Sequence, residues 1–110
     1  MARLREDEIE NPVVTQAKKE GWYVRKLTFS DKRGAPDRLF IKGRSPDGVN
    51  RCDVIFMEFK RPGAKPNGIQ KKERDKIHAQ GGSAYVVDSL EEAWAILDLD
   101  PAALQKVLSR

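Results

Sequence analysis

In this 110-residue sequence, Glu58 stands where its chemistry needs a reason. It lies inside Val54-Ile55-Phe56-Met57-Glu58-Phe59-Lys60, a run otherwise aliphatic and aromatic. A carboxylate in such a run is costly unless it is paired or bound to a metal. Lys60 is two residues on, so in an extended chain both side chains leave the same face. A buried ion pair would by itself account for those two. Asp37 is a second unusual carboxylate. It follows Gly34-Ala35-Pro36 and opens the preceding extended run, where its plainest role is to cap a turn. If the two runs form a hairpin, Asp37 and Glu58 come within hydrogen-bond or metal-ligand reach. Two carboxylates and a lysine at the mouth of a basic surface describe a site for a hard divalent cation. Mg²⁺ takes oxygen ligands, and one or two carboxylates plus substrate phosphate oxygens usually hold it. At a phosphodiester such an ion polarises the phosphate and acidifies water. A nearby ammonium positions that water and offsets developing negative charge.

The elements that must place these residues are legible from periodicity. Arg5 to Glu20 reads as a helix with a narrow apolar stripe of Ile9, Val13, Val14 and Ala17, stopped at Gly21. Pro12 leaves two options: a helix beginning there with Asn11 as cap, or a longer helix kinked at the proline. Trp22 to Phe29 is aromatic and β-branched and reads as a strand; Ser30 to Pro36 is a loop; Asp37 to Lys42 is a second strand. Gly43 to Asn50 contains Ser-Pro-Asp-Gly, a turn in which Asp47 is a turn residue. Cys52 to Lys60 is the strongest strand. Val54 and Phe56 lie on the face of Glu58, and Ile55, Met57 and Phe59 on the other, so it reads as a central strand covered on both sides. Arg61 to Asn67 is a Pro/Gly loop. Gly68 to Gln80 is a charged helix ended by Gly81-Gly82, and Ser83 to Asp88 a short buried strand. Leu90 to Leu97 is a helix after Ser89, with Glu91 and Glu92 in its first turn. Asp100-Pro101 opens a last helix. The order is α-β-β-β-α-β-α-α, an α/β class.

Length and charge narrow the field. One domain spanning 1–110 is expected, its core at about 8–97 and a C-terminal helix at 101–109, too small for a multidomain enzyme. No apolar run approaches the roughly 18 residues of a membrane span, and no secretory leader is visible. The single cysteine, Cys52, allows no internal disulfide, which fits a reducing cytoplasm. The net charge of +4 is unevenly spread: −1 over residues 1–20, +8 over 21–80 and −3 over 81–110. The basic middle block suits a polyanion such as nucleic acid, and equally suits a solvated lysine-rich surface.

The residues also carry a resemblance. Pro36-Asp37, followed after 20 residues by Glu58-Phe59-Lys60, resembles the signature of the PD-(D/E)XK nuclease superfamily. Several further residues make it more specific. Glu10, Gly21-Trp22, Arg33-Gly34-Ala35-Pro36-Asp37-Arg38, Met57 to Gly63 and Gln70 at the start of the next helix are similar to the VRR-NUC (virus-type replication-repair nuclease) domain. The similarity runs from about Ile9 to Trp94. It implies a restriction-endonuclease-like core, α-β-β-β-α-β, with C-terminal helices on a central mixed sheet. It also implies roles. Asp37 and Glu58 would ligate Mg²⁺, for which Mn²⁺ substitutes, with the backbone carbonyl of Phe59. Lys60 would orient or activate the attacking water. Glu10 would approach from the first helix, through water or a second metal ion, and Gln70 would hold Lys60 or the water. The implied reaction is hydrolysis of DNA phosphodiesters. Small standalone members are phage or bacterial homodimers acting on branched DNA such as four-way (Holliday) junctions in replication and repair.

Arg33, Arg38, Arg61, Lys65, Lys71 and Lys72 lie in loops or helix starts near the expected site. They are candidate DNA phosphate contacts, although each taken alone reads as a surface charge. His78 reads as a surface or packing residue and Cys52 as a packed strand residue. Trp22, Trp94, Leu97, Leu104 and Leu108 read as core cover, with a dimer seam as the alternative for the C-terminal region. Two other functions compete with the metal-dependent endonuclease: a catalytically silent DNA-binding module on the same fold, and a basic interaction protein that ignores nucleic acid. The first loses ground because both carboxylates and the lysine are present.

Overall fold

The computed structural model describes residues 4–27, 37–44, 51–65 and 67–109. They form α1 (Glu6–Lys19), β1 (Tyr23–Lys26), β2 (Arg38–Gly43), β3 (Cys52–Phe59), α2 (Gly68–Ala79), β4 (Ser83–Val87), α3 (Leu90–Ile96) and α4 (Pro101–Leu108). The sheet order is β1-β2-β3-β4. β1, β2 and β3 run antiparallel in sequence, and β4 joins β3 in parallel after the α2 crossover. This is the mixed sheet and helix order expected from the sequence.

The core lies between one face of the sheet and the helices α1 and α3. Phe40, Ile55, Met57 and Phe59 alternate inward from β2 and β3 and meet Ile9, Val13, Val14 and Ala17 of α1. Those four recur on one side of a 3.6-residue repeat, so a single helical face is buried. Trp94 and Leu97 close the far side, and the Trp94 indole donates to the Asp100 carbonyl at 2.9 Å. Trp22 is also buried, its ring edge-on to Phe40.

α1 spans Glu6–Lys19 with Pro12 inside it, in keeping with the reading of a helix from Arg5 to Glu20, and of the two options at Pro12 the longer helix is the one formed. Arg5 precedes it, with the Glu8 carboxylate accepting the Arg5 main-chain N–H at 2.8 Å. That bond and three acids in the first turn satisfy the positive end of the helix and sustain a start upstream of the proline. β1 is shorter than the expected strand, and Thr28 and Phe29 lie outside the described residues. Asp47 lies outside them as well. β3 is covered on one face at Ile55, Met57 and Phe59, and on the other only toward its C-terminal end, where Glu58 is buried. Val54 is 39% exposed and Phe56 half-buried, because α2 rests mainly along β4 and buries no residue of its own. Cys52, at the open start of β3, is exposed rather than packed. His78 serves packing: its Nε2 stands 2.7 Å from the Ala84 carbonyl and ties α2 to β4. α4 contributes partial cover through Ala103, Leu104 and Val107, while Leu108 is exposed.

Candidate active site

The strands bring the expected residues together by register. Arg38 pairs with Met57, the last rung of the β2–β3 ladder. Continued by one residue, that register sets Asp37 opposite Glu58, and directly opposed residues share a face. Asp37 is held on its other side too, since its carbonyl accepts the Leu27 N–H at 2.8 Å. Its carboxylate accepts the main-chain N–H of Phe59. The Asp37 side chain, Glu58 and the Phe59 peptide therefore meet at one end of the sheet.

Two helix starts converge there. From α2, the Gln70 amide Nε2 donates to Glu58 Oε1 at 2.5 Å. Lys60 Nζ stands 3.7 Å from the same oxygen, with the Glu58 side chain 8% exposed and Lys60 20%. From α1, Glu10 pairs with Arg38, both largely buried. Arg38 is thus a strand residue neutralised by Glu10, not the loop cation expected to be free for phosphate. Glu6, one helical turn before Glu10, also acts on the cluster, since its charge is felt by Glu58.

The electrostatics follow from burial. Glu58 is pushed up to about 7, first by burial; Lys60 opposes this, and Asp37 and Glu6 add to it. Asp37 is raised by burial and by Glu10, against the Phe59 N–H, Lys60 and Lys26. Glu6 is raised by burial and by Asp37, again against Lys60. Lys60 is thus the cation common to three crowded carboxylates, each of which sits above its ordinary range. Among the described residues no three His, Cys, Asp or Glu side chains form a metal cluster by themselves. The donor set at hand is smaller: two opposed carboxylates and a peptide carbonyl. That is the kind of set on which Mg²⁺ keeps several of its waters.

The remaining described candidates lie on the connection and helix that follow β3. Arg61 and Lys65 are exposed in the β3–α2 connection, and Lys71 and Lys72 follow Gln70 on the exposed side of α2. Arg33 lies outside the described residues. An open hollow of about 520 Å³ is lined by Leu4, Arg5, Glu6 and Arg61. Sequence reasoning missed Glu6 and Asn67. The available signals were the i, i+4 spacing of Glu6 and Glu10, and the Asn67-x-x-Gln70 spacing of a capping box.

No family model matches the sequence. A solved structure described as "VRR_NUC domain" superposes with a TM-score of 0.69 at 28% identity, over 84% of this chain and 94% of that one. "Putative nuclease p44" of Acyrthosiphon pisum secondary endosymbiont phage 1 is 37% identical over 89 residues, 81% of this chain and 88% of the relative. The chain belongs to the VRR-NUC nuclease family. In this VRR-NUC chain the element order α-β-β-β-α-β, the mixed sheet and the C-terminal helices are those the resemblance implied. Among the described residues, no helix of this VRR-NUC fold is long and apolar enough to cross a membrane.

Proposed function

We propose that this chain is a Mg²⁺-dependent DNA endonuclease, with Mn²⁺ as a working substitute, selective for branched DNA such as four-way junctions and active as a homodimer. The observation that supports it best is the cluster at the sheet end: Asp37 opposite Glu58, with Lys60 and Gln70 both on Glu58 Oε1. Burial and neighbouring carboxylates disfavour the charged forms of Asp37 and Glu58, and a divalent cation would relieve both by neutralising them. Asp37, Glu58 and the Phe59 carbonyl would hold the ion. Bound there, it supplies a counter-charge to the phosphate and makes water more acidic. Lys60 orients the attacking water and offsets the charge that builds on the phosphate. The water oxygen bonds to phosphorus, one ester P–O bond breaks, and the leaving oxygen takes a proton. Glu10, locked to Arg38, fixes the approach of α1, and Gln70 fixes Glu58. Arg61, Lys65, Lys71 and Lys72 line the way in as phosphate contacts. The homodimer reading rests on substrate symmetry: paired cuts on opposite strands need two sites.

The test incubates the protein with Mn²⁺ and a labelled four-way junction alongside linear duplex. The expected outcome is cleavage of the junction in preference to duplex, with Lys60→Ala slower by about 10²–10³-fold and Glu58→Ala inactive. DNA binding without any cleavage would replace this reading with the silent binding module. Cleavage that Glu58→Ala leaves unchanged would remove the site assignment.

A further inference from the structure

The first turn of α2 does two jobs through one side chain. Asn67 Oδ1 accepts the Gln70 main-chain N–H at 2.8 Å, and Gln70 Oε1 accepts the Asn67 N–H at 2.9 Å. This reciprocal pair is a capping box, which satisfies donors that a helix start leaves unpaired. The helix alone would accept Glu at this position as readily as Gln. Only Gln leaves an NH₂ group, and that group meets Glu58 Oε1 at 2.5 Å. The carboxamide has one workable orientation. Reversed, it would set N–H against N–H at Asn67 and oxygen against a carboxylate oxygen at Glu58. Lys60 Nζ addresses the same Oε1 at 3.7 Å. Both donors therefore act on one oxygen of Glu58 and leave Oε2 as the oxygen to present.

We infer that Asn67 is a positioning residue of the active site. Its side-chain oxygen caps and seats the first turn of α2, its main-chain N–H, held in register by that cap, sets which way round the Gln70 carboxamide sits, and the carboxamide holds Glu58 with Oε2 turned to the divalent cation. The inference rests on the reading of Glu58 as a metal ligand and adds the device that aims it. Outer partners that orient a ligand commonly change metal affinity by about 10- to 100-fold when removed.

The test uses the full chain with Mn²⁺ alone, without DNA, and reads affinity by titration calorimetry. Asn67→Ala is expected to bind Mn²⁺ about 10-fold or more weakly, and Asn67→Ser, which restores a capping oxygen, to bind as the parent does. Asn67→Gly removes the same oxygen at little cost to folding and keeps the Asn67 N–H but frees it from the cap that holds it in register, so it weakens Mn²⁺ binding even if Asn67→Ala folds poorly. Ser89→Ala removes the cap of α3, where Ser89 Oγ accepts the Glu92 N–H at 3.1 Å, and is expected to leave Mn²⁺ binding unchanged. A second readout needs no metal. The Gln70 side-chain NH₂ signals in nitrogen-proton NMR are expected to exchange slowly in the parent and Asn67→Ser, and fast in Asn67→Gly. Parental Mn²⁺ affinity in Asn67→Gly, or equal weakening in Ser89→Ala, would overturn the inference while leaving the metal site standing. A parent that binds no Mn²⁺ would overturn the metal-site reading, and this inference with it.

Discussion

Glu58 concentrates the tension in this protein. It sits in the most apolar strand, it is nearly covered, and two donors share one of its oxygens. Its carboxyl titrates near 7 in the fold, whereas in an unfolded chain it titrates near 4.5, so between those values the folded protein binds more protons. Stability that favours the folded state is therefore fully present below about 4.5 and is lost as pH rises through about 7. Asp37 and Glu6 are shifted in the same direction and add the same sign. In the metal-free protein, the urea midpoint is expected to fall as pH rises across this window, and Glu58→Gln, neutral throughout, to flatten that fall. Equal pH dependence in parent and variant would count against the raised carboxyl. That Glu58 is unusual could be read from its neighbours in the chain. That Gln70 and Lys60 meet at the same oxygen could not, because hydrogen-bond direction depends on how α2 seats on the sheet.

At the scale of elements, the link between α1 and β2 is polar as well as apolar. Ile9 and Val13 dock on the core, and Glu10, beside them, pairs with Arg38. The two side chains are only 12% and 18% exposed, so removing one partner leaves a largely covered charge without its counter-ion. Arg38→Ala is expected to lower unfolding stability by about 1–3 kcal/mol, measured by denaturant melts, with Glu10→Gln in the same background restoring part of the loss. No restoration in the double variant would show that the pair is not coupled. The amphipathic stripe of α1 was legible in the sequence, because burial of one helical face leaves a 3.6-residue repeat. The stretch from Arg5 to Glu20 was legible as a helix too, but Pro12 left its start open between residue 12 and an upstream start; the Glu8 bond back to Arg5 and the acids of the first turn sustain the upstream one. Likewise, apolar residues on both faces of β3 do not reveal that α2 leaves Val54 and Phe56 partly open, since alternation reports composition and not the width of a neighbouring helix.

At the scale of the whole molecule, charge and acid cluster are arranged against each other. The +8 block of residues 21–80 contains both Asp37 and Glu58 and the exposed Arg61, Lys65, Lys71 and Lys72. If those cations draw a polyanion to the site, its phosphates meet carboxylates of the same sign. A divalent cation between them would offset that repulsion, in keeping with the metal-dependent reaction proposed above. If Lys71 and Lys72 each neutralise a phosphate, Lys71→Ala/Lys72→Ala is expected to reduce the salt slope of DNA binding by about 2, measured by anisotropy over a range of ionic strengths. An unchanged slope would place the DNA path elsewhere.

Local patterning determined the strands, the helices and their order: α1 and β3 through apolar repeats of 3.6 and two residues, and α2, α3 and α4 through their caps and stops. It also marked Asp37, Glu58 and Lys60, because charged groups in apolar strands stand out. Only the tertiary structure decided the hairpin register that sets Asp37 opposite Glu58, the inclusion of Glu6, the capture of Arg38 by Glu10 and the reach of Gln70. Those are pairings between residues distant along the chain, and they are set by the way helices seat on a sheet rather than by any repeat within it.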